Sequence, residues 1–182
     1  SAPQLDRLMG ELADHIDLSG CTEYTVEAGR PDTITAEKLA VLARRGCSRV
    51  SVNPQTMQDA VLERMGRAHR ADDILRAYAL ARESGIGCIN MDLIAGLPGD
   101  SAAGFRASLE QVLALGPENV TVHTLALKKG SRLMEEGGGL PSGAAVADML
   151  DFAWAALRAA GQRPYYLYRQ KYMSGSFENV GW

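Results

Sequence analysis

Cysteine is scarce in this sequence, with three among 182 residues: Cys21, Cys47 and Cys88. The odd count and wide spacing exclude a disulfide framework and a CxxC-type metal site, and fit a reducing, cytoplasmic setting. Each lies at or near an expected strand, where a free cysteine behaves as a small buried apolar residue. No apolar run is long enough to span a bilayer, and the opening residues carry no signal-peptide pattern. The histidines His15, His69 and His123 share no metal-ligand spacing, and His123 reads as a satisfied strand histidine. There is no Ser-His-Asp or Walker-type pattern. An excess of one charge sign is missing too: 19 basic against 22 acidic residues give a net charge of −3, which argues against a general nucleic-acid binder.

What is present suits a soluble globular chain with a substantial core, since 46% of residues are hydrophobic and 23% charged. The organising stretch is Asn90-Met91-Asp92-Leu93-Ile94-Ala95-Gly96-Leu97-Pro98-Gly99-Asp100. Its first half is apolar but for one acid, Asp92. Its second half is a turn, in which Gly96 permits φ > 0 and Pro98-Gly99 stops the strand. Cys88 to Ile94 is expected as a buried strand of a parallel sheet, leading to a helix capped by Asp100 or Ser101. An acid near the carboxyl end of such a strand sits where open sheets and barrels bind ligands.

Taken in order, Leu5, Leu8, Met9, Leu12 and Ile16 predict an apolar helix stripe behind a start at Ser1-Ala2-Pro3-Gln4. That opening suggests an excised piece. Thr22 to Glu27 alternates as a strand. Thr35 caps the next helix, which stops at Gly46. Arg49 to Asn53 is a short strand closed by Pro54. Thr56 with Asp59 is a capping-box variant for a short helix ending at Gly66. A longer helix spans about Ala71 to Ser84. After the central strand comes a helix carrying Phe105, Leu109, Val112 and Leu113, then a strand from Val120 to Leu125. Lys128 to Gly143 is the longest irregular stretch, with Gly137-Gly138-Gly139 at its tip, and is read as functional or mobile. A helix from about Ala144 to Ala160 packs Met149, Phe152, Trp154 and Leu157. Tyr165 to Tyr168 is a fifth strand, and Arg169 to Trp182 shows no period. Strand and helix repeat, which implies right-handed crossovers and a parallel sheet. Four or five strands are too few to close an eight-stranded barrel, so the sheet is doubly wound or an incomplete barrel.

The strand ends carry Glu27, Gln55, Asp92, Lys128 and Arg169, expected on one rim of the sheet. Two acids, an amide and two cations suit a polar ligand with amino-acid and sugar groups.

The segments Glu27-Ala28-Gly29-Arg30-Pro31-Asp32, Ser51-Val52-Asn53-Pro54-Gln55-Thr56, Asp92 through Gly99, Tyr168-Arg169-Gln170-Lys171 and Phe177-Glu178-Asn179-Val180-Gly181 occur in this order. In them the chain resembles the radical S-adenosylmethionine (SAM) enzymes of the oxygen-independent coproporphyrinogen III oxidase (dehydrogenase) family, in its anaerobic Gram-positive branch. Tyr172 stands where that family has asparagine. The resemblance covers nearly the whole chain. It implies an α/β fold, a partial parallel (β/α) barrel of the radical SAM type. About four barrel strands and one further strand are expected, truncated at the N-terminus and followed by the start of a C-terminal extension. The family's 4Fe-4S cluster is held by a CxxxCxxC loop, and neither that loop nor the glycine-rich turn after the second barrel strand is in this sequence. The chain is therefore expected to begin just past that turn and to be inactive alone.

Carried over by position, the resemblance implies that SAM is contacted by Glu27, Gln55, Arg67, Asp92, Ile94, Gly96 and Ala126. Arg67 would take the methionine carboxylate, Gln55 and Asp92 the ribose hydroxyls, and Glu27 the amino and sulfonium end. Ile94 to Leu97 and Ala126 would lie against adenine. The family chemistry uses an electron donor, the cluster and SAM to abstract hydrogen from propionates of coproporphyrinogen III, leaving vinyl groups and carbon dioxide. Lys128, Lys129, Arg132, Arg169 and Lys171 are candidates to receive that tetracarboxylate. Two other readings stand beside it: a haem-binding and delivery protein of the same family, and an unrelated βα enzyme with an anionic substrate. The edge strand left by truncation is expected to self-associate.

Overall fold

The computed structural model describes residues 1–126, 140–169 and 177–182. Strands β1 (Thr25–Gly29), β2 (Arg49–Gln55), β3 (Cys88–Ala95) and β4 (Asn119–Thr124) are parallel, and β5 (Tyr166–Tyr168) and β6 (Asn179–Gly181) complete one sheet. Its order is β1-β2-β3-β4-β6-β5, with β6 antiparallel to both of its neighbours. This is the expected unclosed, barrel-like sheet, with two further strands rather than one. The second, β6, lies in the tail that shows no sequence period. Three residues are too few to display alternation, and the backbone ladder to Thr121 and Val122 holds them instead.

Helices α1 (Ala2–His15), α2 (Ala36–Arg44), α3 (Asp59–Arg64), α4 (Ala71–Glu83), α5 (Ala102–Leu115) and α6 (Gly143–Ala159) join the strands, with a 3-10 turn at Pro31–Thr33. Ile89, Met91, Leu93 and Ala95 of β3 are wholly buried, and so are Leu109 and Val112 of α5 and Met149 and Leu157 of α6. Burial of each such large side chain stabilises the fold by about 1.5–3 kcal/mol. The intervening positions Asn90 and Asp92 face the other way, as the period of two requires. β3 is thus two-faced: apolar toward the helices, polar toward the concave side.

Local chemistry sets the helix ends. The Thr35 hydroxyl accepts from the Lys38 amide, Ser101 from Gly104 and Ser142 from Ala145. Gly116 ends α5 in the left-handed conformation. Three local readings need correction. β1 begins at Thr25: the Tyr24 amide donates to the Ser48 hydroxyl at 2.8 Å and so is taken from the ladder. β2 runs through Pro54 to Gln55, where the β2–β3 register shifts. A proline is tolerated at such an irregularity because the ladder is already broken. Thr56 and Asp59 do not form a capping box. The Thr56 hydroxyl lies 3.2 Å from that of Ser108, and Asp59 accepts from the Ala71 amide at 2.8 Å, capping the next helix instead.

The α1 stripe is only partly used. Met9 is buried, but Leu8 is 58% and Ile16 50% exposed. A cavity of about 350 Å³ opens between α1 and β1, lined by Leu5, Leu8, Val26 and Ile34. Among the described residues β1 pairs with β2 alone. No described helix is long and apolar enough to cross a membrane. Most of the stretch read as a long loop, including its three glycines, lies outside the described residues, and its last residue, Gly143, opens α6.

Candidate functional site

The concave face carries a polar network across four strands. The Ser51 hydroxyl of β2 donates to Glu27 Oε1 of β1 at 3.0 Å. Asn90 Nδ2 of β3 donates to Ser51 Oγ at 3.4 Å and to Asp92 Oδ1 at 2.6 Å. The Thr121 hydroxyl of β4 donates to Asn90 Oδ1 at 3.0 Å. Two donated bonds and one accepted bond leave Asn90 one amide orientation. His123 Nε2, two residues further along β4, is 3.5 Å from Asp92 Oδ2. Asp92 is 9% exposed. The Asn90 amide supplies one hydrogen bond to this carboxylate, and the imidazole stands near its other oxygen.

A cavity of about 290 Å³ lies against this network. Arg49, at the start of β2, lines its lower end. Its Nη2 donates to the Tyr165 hydroxyl at 2.6 Å, and its guanidinium carbon is 5.6 Å from the centre of that ring. Its Nη1 donates to the Glu23 carboxylate at 3.5 Å.

The expected site residues do not share one rim. Glu27 is level with Ser51, and Ser51 with Asn90, so Glu27 and Asp92 lie at different heights within the concave face. Gln55 does end β2, level with Leu93, and takes φ 69°, a left-handed conformation that side chains with a Cβ rarely adopt. Arg67 is half-buried in the turn between α3 and α4, beyond the carboxyl end of β2, and makes no ion pair among the described residues. Ile94 is half-buried on the concave side, and Ala126 lies just past β4. Gly96 has φ 89°, and a Cβ there would meet Val146 Cγ2 of α6 at 3.1 Å. Its lack of a side chain is therefore explained by helix packing. Arg169 does not present a free cation, because it is paired with Glu178. Lys128, Lys129, Arg132, Lys171 and Tyr172 lie outside the described residues.

Sequence reasoning missed Ser51, Asn90 and Thr121, and took His123 for a satisfied strand residue. The signal was in the text: Ser51, Asn53 and Gln55, Asn90 and Asp92, and Thr121 and His123 are polar at every second position of otherwise apolar strands. Among the described residues no three potential ligands cluster to hold a metal ion. Cys21 is exposed and Cys47 buried, while the Cys88 thiol is 3.0 Å from Asn119 Oδ1. Burial pushes the Cys47 and Cys88 thiols up, away from the thiolate that iron needs.

Comparison with known proteins agrees with this architecture. A family model described as the radical SAM superfamily matches residues 5–112. The chain is 42% identical, over its whole length and 37% of the relative's, to the oxygen-independent coproporphyrinogen-III oxidase-like protein HemZ of Bacillus subtilis. It is 33% identical to the haem chaperone HemW of the same organism, over 91% of this chain and 45% of that one. The solved coproporphyrinogen III oxidase HemN of Escherichia coli superposes with a TM-score of 0.81 at 24% identity, covering 99% of this chain and 40% of that one. The chain thus spans less than half the length of these relatives.

Proposed function

The chain belongs to the radical SAM superfamily, and from that premise we propose that it is the SAM-binding portion of a longer enzyme that oxidatively decarboxylates coproporphyrinogen III. The observation that carries this reading is the 42% identity, over the whole chain, to a coproporphyrinogen-III oxidase-like protein. The superfamily's cofactors are SAM and a 4Fe-4S cluster. When bound, they supply hydrogen-atom abstraction from an unactivated carbon. The cluster does not fit the cysteines of this chain, so none of its ligands is assigned here.

SAM does fit. Asp92 and Gln55 are one register step apart at the end of the concave face, and they would receive the ribose hydroxyls. Arg67, with no ion pair among the described residues, would take the methionine carboxylate as a guanidinium does, bidentately. Glu27, oriented by Ser51, would receive the amino group. Ile94, the Gly96 turn and Ala126 would flank adenine, with α6 backing that turn. The network around Asn90 does the preorganising: it holds both acids in place before the ligand arrives.

The substrate would be a porphyrinogen tetracarboxylate, and an electron donor would complete the reaction. A second reading, haem binding and delivery, is favoured by the similarity to haem chaperones. The test is product analysis on the longer protein, anaerobic, with SAM, reductant and coproporphyrinogen III. Vinyl products with matching methionine release are expected. Haem retained with no vinyl product would overturn oxidation in favour of delivery.

A further inference from the structure

A carboxylate receives a vicinal diol bidentately, one hydroxyl on each oxygen, when each oxygen keeps a lone pair open. An ionised carboxylate has about four lone-pair directions, two to an oxygen. At Asp92 one direction on Oδ1 is taken by Asn90 at 2.6 Å, and one on Oδ2 faces His123 Nε2 at 3.5 Å. One direction on each oxygen is left for two adjacent hydroxyls. His123 is two-thirds covered, and from β4 it lines the same cavity as Asp92. Ile94 is its register partner, so the imidazole is rooted two residues beyond Asp92 along the sheet.

We propose that His123 is a positioning residue for the ribose of SAM, acting through Asp92: Asn90 sets one oxygen of the carboxylate and His123 the other. Without the imidazole the carboxylate turns about its final torsion and the second hydroxyl loses its acceptor. Asn90 is locked by Ser51 and Thr121, so it cannot follow the carboxylate. The inference rests on the reading of Asp92 as a SAM contact.

The experiment uses the longer protein, with S-adenosylhomocysteine and its counterpart lacking both ribose hydroxyls as calorimetric probes. His123→Phe is expected to weaken the first about tenfold, the low end for a hydrogen bond to a charged group, with the contact closing from 3.5 Å when the diol is bound. It should change binding of the second by less than about threefold, since that probe makes no call on the acceptor. His123→Gln keeps an N–H toward Asp92 and should restore the first to within about threefold. Equal loss on both probes, or no loss on either, overturns the inference. Asp92→Ala separates the two levels. If it leaves binding of S-adenosylhomocysteine unchanged, the Asp92 reading itself fails. If it weakens binding while His123→Phe does not, only the role of His123 fails. Thermal melts of each variant identify misfolded protein. In that case the glutamine variant decides: a properly folded His123→Gln that binds as weakly as Asp92→Ala overturns the proposal.

Discussion

The guanidinium of Arg49 donates to the Tyr165 hydroxyl at 2.6 Å while lying over the same ring, tying the first residue of β2 to the approach to β5. The side chain of Arg49 is only 13% exposed, so this contact is also how a nearly buried cation is accommodated. The pair closes the lower end of the concave face.

Tyr165→Phe keeps the ring and removes the hydroxyl. It is expected to lower stability by about 1 kcal/mol, the usual net worth of such a bond. Tyr165→Ala should cost more, because the ring contact with Arg49 is lost as well. Urea titrations of both variants check this. A phenylalanine variant as unstable as the alanine one would show that the hydroxyl carries the whole contact.

Gln55 sits at φ 69°, where an L residue costs about 1–2 kcal/mol relative to glycine. Gln55→Gly is therefore expected to leave the melting temperature unchanged or raise it. The same change in the longer protein should weaken SAM binding several-fold, about the worth of one hydrogen bond. Stability and binding moving in opposite directions would mark strain held for function. A variant that loses stability and keeps affinity would place the side chain in the fold instead.

Burial raises the carboxyl of Asp100, against the hydrogen bond from the Ser101 amide that lowers it, and Oδ2 is buried with no hydrogen-bond partner among the described residues. Because its folded pKa lies above the unfolded value of about 3.9, its contribution is complete below that value and is lost as pH rises through the folded one. Asp100→Asn does not titrate. It should melt higher than the parent at about pH 7.5, with the difference shrinking toward about pH 4.5. A difference independent of pH would mean that the carboxylate is not the cause.

Among the described residues the outer edge of β1 has no strand beside it, and the apolar side chains of α1 near it are exposed. Exposed edges of this kind recruit a second copy. This chain, taken alone, is expected to grow in apparent mass with concentration in light scattering. Thr25→Pro, at the first residue of β1 where the amide faces outward because the Tyr24 carbonyl and its alternate neighbours face β2, should reduce that growth. A constant monomer mass throughout would refute the expectation.

The helices and the parallel strands were legible because each signal was local: Thr35, Ser101 and Gly116 end their helices where the sequence placed those ends. The proposed SAM contacts came from sequence resemblance; the unaided residues pointed only to Glu27, Gln55 and Asp92 among them, and Arg67 entered through the resemblance alone. Illegible were the features made by long-range pairing. β6 is three residues long and exists because β4 offers it a ladder. The Asn90 network depends on register between strands, and register cannot be read from one strand at a time. Arg169 was read as a free cation because its partner, Glu178, stands on a segment without a periodic signal.

The placement of β6 has a kinetic consequence. The concave-face bonds between neighbouring parallel strands join residues 24, 39 and 31 positions apart, from Glu27 across to Thr121. The bond from Asn119 Nδ2 to the Trp182 carbonyl closes 63. Doubling a loop costs only about 0.6 kcal/mol, so equilibrium stability scarcely registers the difference. Folding speed does, because long-range contacts form against chain entropy before they return anything. The parallel strands can therefore assemble while the last segment is still searching. On this ordering β6 closes last on an edge of β4 that is already in place, and until then that edge, like the outer edge of β1 among the described residues, offers unpaired backbone groups.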